Sequence, residues 1–202
     1  PSHKPQYLDD AAKSVLAQTN PDWEWIVLLN SSAKWKGPQD TRIKIVFTPS
    51  VSGVGEAKSL ACEHVTGDYI LELDHDDVLH PLAVEKVVKA LNKHKKASMV
   101  YSDAASMDAS GRFIDTVYGE GHGWQYEDFR GKKVPKSFEA TPHNISLIWY
   151  APNHLRAFRR SLYEKVGGFD IALDILDDQD LMSRLYQVGE FIQLPEVLYF
   201  QR

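Results

Sequence analysis

A chain of 202 residues with 43% hydrophobic and 25% charged side chains has the size and composition of one globular domain with an ordinary core. Its net charge of −5, with no basic stripe, argues against a nucleic-acid-binding surface, and no run reaches transmembrane length or resembles a signal peptide. The single cysteine, Cys62, excludes an internal disulfide framework and fits a reducing, cytoplasmic setting, peripheral to a membrane if segments outside these residues anchor it.

Tyr7, Leu8, Ala11, Ala12, Val15 and Leu16 recur at helical spacing, which predicts an amphipathic helix over 6–18. Residues 23–29 form a nearly continuous apolar run, as in a parallel strand buried on both faces. Ile43, Ile45 and Phe47 alternate with polar positions and predict another strand, followed by a helix over 53–64. The run 69–73 reads as a strand. Pro81 suits the first turn of a helix reaching about Lys93. Residues 99–118 read as a strand and hairpin, turning at Asp108-Ala109-Ser110-Gly111. Residues 119–150 lack a clear period, and long irregular stretches in domains are usually functional or mobile. A strand over 155–158 follows, then a helix over 160–166 ended by Gly167-Gly168. A helix over 181–188, a strand over 191–194 and an apolar stub at 197–200 complete the chain. This order predicts an α/β fold with a mostly parallel sheet and helices on both faces. Such a sheet normally opens with a strand, so a first strand is expected upstream of Pro1.

Two acidic clusters stand out. Asp74, Asp76 and Asp77 lie where the apolar run 69–73 stops, and ligands of α/β sheets bind at such strand ends. Three carboxylates within four residues repel one another unless a positive group sits between them. Mg²⁺ or Mn²⁺ carrying a phosphate is the natural partner, since these ions take one or two carboxylates plus substrate oxygens. The competing reading is an acidic turn and helix cap, which accounts for one or two of the three. The second cluster is Asp174, Asp177, Asp178 and Asp180. Capping again explains one or two, and a carboxylate acting as general base explains the rest.

Several stretches together resemble family 2 glycosyltransferases. They are Tyr7-Leu8 with residues 14–19 (Ser-Val-Leu-Ala-Gln-Thr), Trp23-Glu24-Trp25-Ile26-Val27, Ala57-Lys58-Ser59, Gly67-Asp68-Tyr69-Ile70 and Asp74-x-Asp76-Asp77. Further along come Phe158-Arg159-Arg160, Val166-Gly167-Gly168-Phe169-Asp170, Asp177-Asp178-x-Asp180-Leu181 and Leu194-Pro195-Glu196-Val197-Leu198-Tyr199. The resemblance implies a GT-A fold, a nucleotide-sugar donor, a divalent metal and inversion at the anomeric carbon. It implies one domain, with residues 1–104 binding donor and 105–202 binding acceptor. It assigns Asp74 and Asp76 to donor and metal, Asp77 to shared metal ligation, and Asp178 to the catalytic base. Pro1-Ser2 matches the end of the first strand, and Ser2 joins Asn30 and Lys58 as donor-binding residues.

The chain also departs from the family pattern. Leu29 and Asn30 stand where an Asp usually meets the nucleobase, so a uracil contact falls to Asn30. Lys58 replaces Arg, keeping the charge but losing the bidentate fork. A metal-binding His usually follows the segment at 194–199; here His154 and His143 are the candidates, while His75 is expected to point away from the acids. Trp124, Tyr126, Trp149 and Tyr150 form either an acceptor platform or core. Arg156, Arg159 and Arg160 either meet phosphate or pair with Asp177 and Asp180. The expected activity is metal-dependent transfer from a UDP-sugar to a glycan, lipid-linked or protein acceptor. A nucleotidyltransferase and a non-catalytic binding domain are the alternatives.

Overall fold

The computed structural model describes residue 2 and residues 5–119, 121–147, 152–173 and 175–202. A short 3-10 turn (Pro5–Tyr7) enters α1 (Leu8–Leu16), whose Leu8, Ala11, Ala12 and Val15 are buried at the spacing of one helical face. Strands β1 (Trp25–Asn30) and β2 (Ile43–Thr48) pair in parallel as a two-stranded sheet. Next come α2 (Val54–Cys62), β3 (Tyr69–Leu71), β4 (Val78–Leu79) and α3 (Ala83–Lys93). The long β5 (Ala97–Ser106) precedes a hairpin of β6 (Tyr126–Phe129) and β7 (Lys132–Pro135), then α4 (Pro142–Leu147). The chain closes with β8 (Arg156–Arg159), α5 (Arg160–Lys165), α6 (Asp177–Tyr186) and β9 (Glu190–Gln201).

Five strands form the main sheet in the order β3-β8-β5-β9-β4. It is mixed. The long β5–β9 ladder is parallel, like β1–β2, whereas the shorter β3–β8, β5–β8 and β4–β9 pairs are antiparallel. Helices cover both faces, and strand alternation sorts the core into two clusters. Val100, Ala104 and Ala157 pack with Val15 of α1 and Val87 and Leu91 of α3. Met99, Tyr101 and Phe158 pack with Tyr163 of α5 and Leu181 and Leu185 of α6. Cys62 packs against this second cluster, as expected of a small core residue.

The ends of elements depart from periodicity in explicable ways. The helix expected from Pro81 starts at Ala83, because the buried Gln18 reaches across and accepts the Val84 N–H at 3.0 Å. The two apolar pieces at 191–194 and 197–200 are one strand, β9. Its pairing jumps from Leu194 to Val197, so Pro195 sits in a bulge where no ladder N–H is required. Residues 126–135 form a hairpin whose two-residue loop, Arg130-Gly131, has positive φ at both positions (54° and 75°).

Ser2, expected to end a first strand, makes a parallel bridge with Leu29: its N–H donates to Leu28 O at 2.8 Å and its O accepts from Asn30 N–H at 3.0 Å. Farther along, a cavity of about 500 Å³ separates Trp25 and Ile26 of β1 from Tyr69, Ile70 and Leu71 of β3. Glu24 spans this gap by accepting the Thr66 and Gly67 N–H groups at 2.5 and 3.0 Å. Among the described residues no helix is long and apolar enough to cross a membrane.

Candidate active site

Strand β3 ends at Leu71, so the acids after it lie on a turn, closed by Asp77 N–H donating to Asp74 O at 3.2 Å. The turn swings Asp74 and Asp77 toward His154, so that one ligand atom from each of the three lies within 4.8 Å of the others. Asp76 falls outside this group; its carboxylate lies 3.7 Å from Nδ1 of His75. His75 therefore faces an acid, contrary to the expectation from strand alternation, because alternation stops with the strand. His143 is exposed on α4 and takes no part.

Burial raises the Asp77 pKa to about 7, with the charges of Asp74 and Asp76 adding to the shift, while the Arg202 N–H donating to it at 2.7 Å works against it. Burial opposes the Asp74 charge too, but Lys58, with Arg156 adding to it, outweighs this and holds its pKa low. His154 is stacked on Tyr199 (ring centroids 4.5 Å apart, 6° between planes), and burial followed by the Arg156 charge lowers its pKa to about 4. A neutral imidazole beside two carboxylates is a donor set that suits a divalent cation, and it relieves the repulsion that raises Asp77.

The second acidic cluster starts α6 rather than preceding it. Asp177, Asp178 and Asp180 occupy the first turn, where the macrodipole favours negative charge. Leu176, immediately before, takes φ 66°, a left-handed conformation costing a non-glycine residue roughly 1–2 kcal/mol. Lys58 Nζ lies 3.0 Å from Asp177 and 3.2 Å from Glu72. Arg156 lies 2.8 Å from Glu72 and 2.5 Å from Asp178. Burial raises the Asp178 pKa, but Arg156 and then Lys58 overcome this and hold it below its ordinary value. The charges of the same two cations also lower the Asp74 pKa, so Lys58 and Arg156 bear electrostatically on both acidic clusters. The close approach depends on Gly55: a Cβ there would sit 2.5 Å from Asp170 O, so α2 meets the loop before α6 only without a side chain.

Of the other arginines, neither Arg159 nor Arg160 pairs with an α6 acid. Arg159 donates to Leu91 and Ala97 carbonyls, and Arg160 to Gly67 O and Glu164. Asp180 pairs with Arg184. Among the described residues, the buried Oγ of Ser2 and Oδ1 of Asn30 have no hydrogen-bond partner at the end of β1. Such atoms normally find one, so this pair is suited to a polar ligand. Trp124 packs between Tyr118 and Phe138, and the Tyr126 hydroxyl is engaged by the Tyr118 backbone. Trp149, Tyr150, Pro1 and Asp174 lie outside the described residues. Glu72 was missed from sequence. Its signal is a lone acid inside an apolar strand run, which implies a buried cationic partner.

The family description "Glycosyl transferase family 2" matches residues 3–167. The chain belongs to this family. Chondroitin synthase of Pasteurella multocida is 26% identical over 201 residues, covering 96% of this chain and 19% of that protein. The chain spans about a fifth of the length of the Pasteurella multocida chondroitin and hyaluronan synthases that it matches. Among solved structures, S. aureus TarS 1-349 superimposes with a TM-score of 0.71 at 15% identity, covering 100% of this chain and 58% of that one; TarS 1-349 is also solved with UDP-GlcNAc. Mannosyltransferase PcManGT from Pyrobaculum calidifontis, in complex with GDP-Man and Mn2+, gives 0.63 at 16% identity, covering 100% of this chain and 54% of that one. These likenesses establish the GT-A fold for this family 2 chain.

Proposed function

We propose that the domain transfers a sugar, with inversion, from a nucleoside-diphosphate donor to an acceptor hydroxyl, using a divalent cation. The observation that carries the reading is that Glu72, two residues before Asp74, pairs with Lys58 and Arg156, which in turn pair with Asp177 and Asp178 of the second acidic cluster. Family membership and neighbours holding UDP-GlcNAc or GDP-Man support a nucleotide-sugar donor. The orphaned Asn30 Oδ1 favours a UDP-sugar, since it accepts an imide N–H such as that of uracil.

Asp74, Asp77 and His154 would hold Mn²⁺ or Mg²⁺; when bound, the ion neutralises charge on the departing diphosphate. Asp76, outside that group, is left to the donor. Arg156 holds the Asp178 pKa below its ordinary value, and the ionised carboxylate accepts the proton of the attacking hydroxyl. Ser2, Asn30 and Lys58 position the donor. Residues 1–104 form the donor half and 105–202 the acceptor half of one domain, the acceptor being a glycan, a lipid-linked sugar or a protein.

The test is product analysis with UDP-sugars and Mn²⁺. Free UDP is the expected product, whereas pyrophosphate would indicate nucleotidyl transfer. Asp178→Asn is expected to retain UDP–Mn²⁺ binding by calorimetry and to lose roughly 10²–10⁴-fold in transfer rate. An unchanged rate refutes the proton-acceptor role.

A further inference from the structure

Glu72 breaks the apolar run Tyr69-Ile70-Leu71-Glu72-Leu73 and lies on the same face as Ile70, toward α6. Its side chain is 14% exposed and is shared between two cations, Oε1 on Lys58 and Oε2 on Arg156. Each cation continues to one acid of the first turn of α6, Lys58 to Asp177 and Arg156 to Asp178. Five charges thus alternate along a chain that begins and ends on α6, with Glu72 at its centre. The backbone adds a further tie, Glu72 N–H donating to Arg156 O at 3.0 Å.

Burying such a chain is a poor way to gain stability. Replacing buried ion pairs by well-packed apolar side chains is often neutral or stabilising. An aliphatic residue at 72, like Ile70, would satisfy the core. What the charges specify instead is geometry. Arg156 is 7% exposed and Asp178 is 30% exposed, so the Asp178 carboxylate is the solvent-accessible end of the network.

We infer that Glu72 is a positioning residue: by fixing the Arg156 and Lys58 side chains from the sheet side, it sets where the Asp178 carboxylate stands relative to the acidic turn. The inference rests on the glycosyl-transfer reading, in which Asp178 receives the proton. Without Glu72, both cations are free to swing toward α6 or toward the diphosphate, and Asp178 loses its fixed partner.

The experiment is steady-state kinetics on Glu72→Gln, Glu72→Asp, Asp178→Asn and the double variant Glu72→Gln/Asp178→Asn, with folding followed by circular dichroism. A carboxylate displaced by about 1 Å is expected to lower kcat roughly tenfold to a hundredfold in Glu72→Gln, with a smaller rise in donor KM through the loosened Lys58. Because the effect runs through Asp178, adding Glu72→Gln to Asp178→Asn is expected to change the residual rate less than about twofold. Glu72→Asp, charged but too short to span both cations, is expected to fall between wild type and Glu72→Gln, and it carries the test if the Gln variant does not fold. Wild-type kcat in Glu72→Gln or Glu72→Asp beside an inactive Asp178→Asn overturns the role of Glu72 alone. An undiminished Glu72 effect in the Asp178→Asn background does the same. Full activity of Asp178→Asn removes the underlying reading instead.

Discussion

His154 packs flat against Tyr199 and stays neutral through the physiological range, so its ring offers a lone pair beside Asp74 and Asp77. His154→Ala is expected to weaken Mn²⁺ binding in the presence of UDP by about tenfold or more while leaving the circular dichroism spectrum unchanged. Calorimetric titration checks this, and unaltered affinity would exclude His154 as a ligand. Glu24 makes the clearest pH-dependent contribution to the fold. Burial acts against its charge, but Lys44, the Thr66 hydroxyl and the Thr66 and Gly67 N–H groups together lower its pKa from 4.5 to about 2. A depressed carboxylate pKa means that the folded state favours the ionised form. The stabilisation is therefore complete above about pH 4.5 and disappears as pH falls toward 2. Glu24→Gln should lose about 1–2 kcal/mol at pH 7 and almost nothing near pH 2, read by urea denaturation at both values.

At the scale of elements, the packing of α2 on the loop before α6 decides whether Lys58 can reach Asp177. Gly55→Ala places a methyl group against Asp170 O, and this backbone contact has no flexible side chain to yield. A loss of about 1–3 kcal/mol is expected, with a rise in donor KM because Lys58 positions the donor. Differential scanning calorimetry and initial rates measure the two effects. Most elements were legible from the sequence because periodicity is a local property: α1, α3 and the buried strands carry strong patterns. The β6–β7 hairpin was not, because its loop is Arg130-Gly131 and the usual Asn-Gly or Asp-Gly signal is missing. Strand β9 looked like two pieces because Pro195 interrupts it, and only pairing with β5 shows the proline accommodated in a bulge.

At the scale of the molecule, β5 is paired on both edges and covered on both faces, whereas β1 and β2 form a separate two-stranded sheet. Local opening should follow this division. Amide exchange is expected to be slowest at Met99, Val100 and Tyr101 and markedly faster along β1 and β2, measured by hydrogen–deuterium exchange with mass spectrometry. Equal protection of the two sheets would show that they unfold as one unit. The division matters for the site, since Asn30 belongs to the smaller sheet and Asp74, Asp77 and His154 adjoin the larger.

The order of residues along the chain by itself determined the succession of helices and strands, the presence of acids at a strand end and at a helix start, and the membership of the family. Those are properties of spacing and residue type, which do not require distant segments to meet. Only the tertiary structure decided that His154 rather than His143 joins Asp74 and Asp77, that Asp76 lies apart from them, and that Glu72 links both cations to the acids of α6. Each of those outcomes depends on which strands become neighbours: β3 and β8 pair side by side, which sets Glu72 beside Arg156, and no local pattern encodes that adjacency.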